Sequence, residues 1–312
     1  MNKLVIATRG SKLALWQSEH IKAVLQEQNP GLEVELKIVV TSGDKILDVP
    51  LAKIGGKGLF LKEIEEAMLR GEAHMAVHSL KDVPTEMPEG FVLGAITERE
   101  DDQDAMLSEK YANLDALPEG AVVGTSSLRR RAQILTLRPD LTIKDLRGNV
   151  DTRIRKLKEG EYDAIILASA GINRLGLLDS VEYVYPIAVD DMIPAMGQGA
   201  LGIEVIDDPE VLEIARGLED ENTRIETTIE REFVDTLQGG CQVPIGINAT
   251  VLDNGDVLTR AVVAMPDGTE MISEAVEVAR DKVDNLGRDM AQTFIEQGAR
   301  ELLSRAEEAA FK

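Results

Sequence analysis

Strand-like and helix-like patterns alternate along most of this chain, and that alternation constrains its fold more than any other feature. KLVIAT at 3–8 reads as a buried strand. A helix over 12–28 follows, with Leu13, Trp16, Ile21, Val24 and Leu25 on one face and Ser11 as its N-cap. EVELKIVVT (33–41) alternates as a strand, and a glycine-rich loop, IGGKG (54–58), leads into a helix from about 59 to 70. AHMAVHS (73–79) is a further strand, and in the LKDVP that follows it Pro84 forbids an ordinary continuation.

The same grammar returns downstream: AVVGT strand, SSLRRRAQILTL helix, LTIKDL strand, RGN turn, VDTRIRKLKEG helix, DAIILA strand, SAGINRLGL helix. Strands alternating with helices argue for parallel or mixed sheets in two α/β domains. From about 222 the pattern changes. NTRIETTIEREFVDTL puts Ile225, Ile229, Phe233 and Leu237 on one stripe, and three strands follow, separated by turns at Asn254-Gly255 and Asp267-Gly268. That predicts an antiparallel meander, closed by one helix over roughly 283–309.

At 312 residues and 44% apolar content the chain exceeds what one core organises, so two or three domains are expected. The opening apolar run is interrupted by Thr8 and Arg9, and no stretch approaches 18 uninterrupted apolar residues, which together with a single cysteine points to a soluble cytoplasmic protein. Thirty-four basic against 56 acidic residues give a net charge of −22, which repels nucleic acid and anionic membranes and raises the expectation of salt adaptation. A polyanionic ligand would then need a local basic pocket.

The arginines supply one. Arg9, Arg129 to Arg131 and Arg147 follow strand C-terminal ends, with Arg153 early in the next helix, and in an open α/β sheet that rim is where ligands bind. A first-turn arginine opposes the helix dipole by ~0.3–1 kcal/mol, so three in a row ask for a compensating anion. Any one of them alone also fits a solvated helix face; the shared location favours anion binding. The hydroxyls of GTSS (124–127) suit an anion or simple capping.

IGGKG lacks the Ser or Thr of a Walker loop, since Leu59 follows Gly58; it reads as a basic lid carrying Lys53 and Lys57, or as a turn. Asp82 reads as a turn residue, unless it faces a cation at the rim. His74 and His78 share a strand face without a third ligand, so a structural role outweighs a metal site. Cys241, in LQGGCQVPIG, is read either as a buried small hydrophobe or, given Gly239, Gly240 and Pro244, as an exposed loop tip; no histidine lies near it in sequence to serve as a hydrolytic base.

ATRGSKLALWQ, LAKIGGKGLFLKE, AVHSLKDVP, GTSSLRRRAQ, LRGNVDTRIRKL, AIILASAGINRLGL, PAMGQGALGIE and GGCQVPIG occur in an order that strongly resembles the porphobilinogen deaminase (hydroxymethylbilane synthase) family, from about residue 4 to the end. The resemblance implies two α/β domains like type II periplasmic binding proteins and a C-terminal α+β domain with a three-stranded antiparallel sheet and helices. Domain 1 would span 1–98 and 196–216, domain 2 99–195, and domain 3 217–312.

It also implies a monomeric transferase of tetrapyrrole (haem) biosynthesis. Four porphobilinogen molecules would be joined head to tail with loss of ammonia, on a dipyrromethane cofactor thioether-linked to Cys241. By matching motif positions, Lys81, Asp82, Thr125, Ser126, Ser127, Arg129, Arg130, Gly171 and Gln198 would hold the cofactor. Arg9, Ser11, Lys53, Lys57, Arg147, Arg153 and Arg174 would take substrate carboxylates, and Asp82 would stabilise the cationic pyrrole left as ammonia departs. The competing readings are a two-lobed anion-binding protein without catalysis and a cysteine hydrolase; neither has a use for HSLKDVP together with GGCQVPIG.

Overall fold

A computed structural model describes residues 1–45, 61–238 and 243–310 and divides into two units, Met1–Glu100 with Ala200–Arg224 and Asp101–Gly199 with Ile225–Lys312. The first unit opens with Lys3–Thr8 (β1), Lys12–Gln28 (α1), Glu33–Ile38 (β2), Lys62–Leu69 (α2), Met75–Ser79 (β3) and Phe91–Ile96 (β4). The chain then crosses to the second unit: Asp104–Ser108 (β5), Val122–Gly124 (β6), Leu128–Leu137 (α3), Thr142–Lys144 (β7), Val150–Lys158 (α4), Ala164–Ala168 (β8), Ser169–Arg174 (α5) and Tyr183–Ile187 (β9). It returns to the first as Leu201–Ile206 (β10) and Pro209–Arg216 (α6). Glu221–Thr236 (α7), Ile245–Val251 (β11), Val257–Ala264 (β12), Met271–Val278 (β13), Leu286–Glu296 (α8) and Ala299–Ala310 (α9) complete it.

The two five-stranded sheets share one plan, in the orders β2-β1-β3-β10-β4 and β7-β6-β8-β5-β9. In each, three parallel strands are joined to a fourth by an antiparallel strand, β10 in the first sheet and β5 in the second. Each antiparallel strand directly follows a crossing of the chain between units. The inner strands are buried on both faces, as a sheet covered on both sides requires: in the first, Leu4, Ile6, Met75, Ile203 and Val205 fill one core and Ala7 and Ala76 a second, while in the second sheet Val123 and Ile166 fill one and Ile165 another. Each of the larger of these side chains contributes about 1.5–3 kcal/mol.

The C-terminal meander β11-β12-β13 is antiparallel throughout, as its turns predict. It packs a core of its own, in which Phe233 of α7 meets Phe294 of α8 edge to face at 5.1 Å. The parallel or mixed sheets expected from the alternation are therefore two mixed sheets, and the α/β plus α+β architecture holds.

Three details depart from the sequence reading. The single terminal helix is two, because Gly298 adopts φ +94 between α8 and α9. Trp16 is 38% exposed and stacks on His20, while Gln17 and Ser18 take the inward positions beside Ile21 and Leu25. Strands β4, β5 and β9 and helix α6 were not anticipated; β9 is an edge strand, which is why it tolerates Pro186.

Candidate active site

In the second unit the turn from β6 into α3 is locked by its own hydroxyls. Thr125 Oγ1 accepts the Ser127 amide at 3.1 Å, and Ser127 Oγ caps the helix by accepting the Arg130 amide. Ser126 Oγ donates to the Leu146 carbonyl and accepts the Leu146 amide, tying this turn to the one that carries Arg147.

Arg129 and Arg130 do not lie on a solvated face; they are 4% and 7% exposed. Both converge on Asp104, a wholly buried carboxylate of β5. Arg129 Nη1 lies 2.7 Å from Asp104 Oδ2, while Arg130 Nε and Nη2 donate to Oδ1 at 3.1 and 2.7 Å. Gln198 Nε2 donates to the same oxygen at 2.9 Å. Further donors go to carbonyls, Arg129 to Ile193 and Arg130 to Ile166.

Burial opposes ionisation of Asp104, but the attraction of Arg129 and then Arg130 outweighs it and holds the carboxyl far below its ordinary range. Burial also lowers the Arg129 guanidinium, against the pull of Asp104. Two guanidiniums against one carboxylate leave a formal surplus of one positive charge in this group, so the cluster favours an additional anion.

Asp104 was missed by sequence reasoning. It is the last acidic residue in EREDDQD (98–104), and nothing local marks it from its exposed or half-buried neighbours. Its burial comes from long-range pairing, opposite Ala168 and Ile187.

Around this cluster, Arg174 of α5 donates to the Gly199 carbonyl at 2.6 Å, one residue beyond Gln198, and Gly171 lies one turn earlier on α5. Arg153 Nε donates to the Gly148 carbonyl at 2.7 Å, within the turn that carries Arg147. These residues therefore gather at the ends of β6, β7 and β8, the rim foreseen from the sequence.

In the first unit Arg9 and Ser11 follow β1, and Lys81 and Asp82 follow β3 on a short 3-10 turn. β1 and β3 are parallel neighbours, so both pairs lie at the same sheet end. Ser11 Oγ caps α1 by accepting the Ala14 amide at 3.3 Å. The Asp82 turn is fixed by the Leu80 amide to the Ala200 carbonyl and the Val83 amide to the Leu80 carbonyl, and Asp82 itself is exposed. Gln17 Nε2 reaches Ser79 Oγ at 3.0 Å, pinning α1 to the end of β3.

His74 and His78 have structural partners: His74 Nδ1 accepts the Val5 amide, and His78 Nε2 meets the buried Glu204 at 2.8 Å. Cys241, Lys53 and Lys57 lie outside the described residues.

Two family models match the chain: "Porphobilinogen deaminase, dipyromethane cofactor binding domain" over residues 4–213, and "Porphobilinogen deaminase, C-terminal domain" over residues 224–296. Similar curated proteins, each named porphobilinogen deaminase, come from Sulfurimonas denitrificans (72% identical, 98% of both chains), Nitratiruptor sp. (63%, 99% of both) and Aliarcobacter butzleri (60%, 100% of both). Among solved structures, the methionine binding protein MetQ is similar at 14% identity and a TM-score of 0.45, over 74% of this chain and 95% of that one.

Proposed function

The chain belongs to the porphobilinogen deaminase family, and on that premise we propose that the Arg129–Arg130 pair holds the cofactor's carboxylates while Asp82 is the catalytic carboxylate. The enzyme is a transferase of tetrapyrrole biosynthesis, hydroxymethylbilane synthase. The match of both family models along the chain carries this reading.

The arginine cluster fits a dipyrromethane: its side-chain carboxylates are the anions that the surplus guanidinium charge favours. Thioether-linked to Cys241, that group would supply a pyrrole end for the first porphobilinogen to join. Lys81, Thr125, Ser126, Ser127, Gly171 and Gln198 line its place. Arg9, Ser11, Arg147, Arg153 and Arg174, with Lys53 and Lys57, receive the acetates and propionates of incoming substrate and growing product.

Departure of ammonia from the substrate's protonated aminomethyl group places positive charge on its pyrrole until the new carbon–carbon bond forms and a ring proton is lost. Asp82, on a turn anchored through Leu80 and Val83, offers a fixed counter-charge there without competing intramolecular burial. Lys81 beside it bears on carboxylates rather than on the developing cation.

The second unit further divides, in this reading, into domain 2 (99–195) and domain 3 (217–312), with residues 1–98 and 196–216 as domain 1. The separate core beneath β11-β12-β13 supports that division. No described helix is long and apolar enough to cross a membrane, and a thiol that must stay reduced to accept its thioether suits the cytoplasm. The enzyme acts as a monomer, with porphobilinogen as its small-molecule partner; light scattering tests the first point.

The deciding experiment is denaturing intact mass spectrometry combined with turnover of porphobilinogen. Wild type carries a two-pyrrole adduct and Cys241→Ser does not. Asp82→Asn keeps the adduct but loses at least about 10²-fold in kcat. A bare yet active wild type, or near-normal Asp82→Asn, overturns the assignment.

A further inference from the structure

Between β9 and β10 the chain runs from Ile193 to Gln198 with no regular secondary structure, yet both ends are held by buried side chains. At one end Gln133 of α3 grips Ile193 twice: its Nε2 donates to the carbonyl at 3.0 Å and its Oε1 accepts the amide at 2.8 Å. Arg129 Nη1 donates to the same carbonyl at 2.7 Å.

At the other end Glu230 of α7, wholly buried, accepts the Gly197 amide on Oε2 at 2.6 Å and the Ala249 amide of β11 on Oε1 at 2.9 Å. Between them the Ile247 amide of β11 donates to the Pro194 carbonyl at 3.0 Å. Gly246 lies so close that a Cβ there would stand 2.7 Å from the Ile193 carbonyl oxygen. The residue after Gly197 is Gln198, whose amide reaches Asp104.

α7 ends just before the Cys241 segment and β11 begins just after it, at Ile245. One carboxylate therefore binds both flanks of that segment to the strut, and the strut's two ends meet Arg129 and Asp104. A buried carboxyl group costs free energy unless it is hydrogen-bonded, and here each of its oxygens accepts a backbone amide from a different segment.

We propose that Glu230 is a positioning residue for the reaction: through the Ile193–Gln198 strut it fixes α7 and β11, which flank Cys241 in sequence, against the arginine pair that receives the cofactor. This rests on the functional reading above. Glu226, one turn earlier on the same helix, accepts the Val251 amide of the same strand at 2.9 Å but is four residues removed from the strut contact, and so serves as a matched control for simple support of β11.

The test compares full-length Glu230→Gln, Glu226→Gln and Gln133→Met with wild type. Measured are the adduct fraction by denaturing mass, KM and kcat for porphobilinogen, and the melting temperature. Glutamine at 230 presents an N–H2 where one backbone amide needs an acceptor. The expected result is a KM at least tenfold higher, with a reduced adduct fraction, for Glu230→Gln and Gln133→Met, and a KM within twofold of wild type for Glu226→Gln whatever its melting temperature. Loss of folded protein alone lowers apparent kcat without moving KM.

The proposal is overturned if Glu230→Gln and Gln133→Met keep wild-type KM and adduct, or if Glu226→Gln matches them. Should Glu230→Gln give no soluble protein, Gln133→Met decides by the same criterion. A wild-type chain without adduct or turnover would overturn the deaminase reading itself, a result distinct from unaltered variants of a loaded wild type.

Discussion

Replacing Asp104 by Asn isolates the charge balance of the arginine cluster. The side chain keeps its shape, but two buried guanidiniums lose their shared counter-charge while Gln198 loses its ionic acceptor. Removing one partner of a buried ionic group costs about 3–5 kcal/mol. With a urea dependence of roughly 2 kcal/mol per molar, the unfolding midpoint falls by about 1.5–2.5 M.

The sign against pH follows from the depressed carboxyl. Its contribution is present in full above the ordinary carboxylate range and is lost only as pH falls through the lower folded value, so the wild-type advantage is undiminished at pH 7. Circular dichroism in urea reads the midpoint. A companion triple variant, Asp104→Leu with Arg129→Met and Arg130→Met, recovers most of the stability, because a well-packed apolar replacement removes the desolvation cost, yet it fails to load the cofactor. A midpoint shift below about 0.5 M for Asp104→Asn, equivalent to about 1 kcal/mol, would refute the view that Asp104 is the counter-charge that the pair shares.

Other outcomes follow from single contacts. Gly246→Ala drives a methyl to 2.7 Å from the Ile193 carbonyl oxygen and 2.8 Å from Val262, and lowers stability by about 1–3 kcal/mol in urea unfolding. Glu65, whose carboxyl is raised by burial and then by Glu204, disfavours the folded state once pH passes its unfolded value; Glu65→Gln therefore raises the urea midpoint at pH 8, with a gain that shrinks toward pH 4. Gly298→Ala forces a side chain into φ +94 and costs about 1 kcal/mol, read as a drop in melting temperature.

Local chemistry made much of the fold legible. Ser11 before an amphipathic run and the Asn254-Gly255 and Asp267-Gly268 turns signal α1 and the C-terminal meander, because caps and turns are decided within a few residues. The rim arginines were visible for the same reason: they follow apolar strand runs directly. Asp104 and Glu230 were not. One stands in an acidic run and the other beside the apolar stripe of a helix, and each owes its burial to partners dozens of residues away. The position of Trp16 was misread because a large aromatic ring can close on His20 at the surface instead of entering the core.

The order of strands in the first sheet also bears on synthesis. β4 pairs with β10, which leaves the ribosome on the order of a hundred residues later, after every strand of the second sheet has emerged. The second sheet is complete once Ile187 is made. A nascent chain of that length therefore carries one finished five-stranded sheet and one with the edges of β3 and β4 unpaired, so of these two sheets the one that leads into the Asp82 turn is the last to close and the one most in need of protection from aggregation during translation.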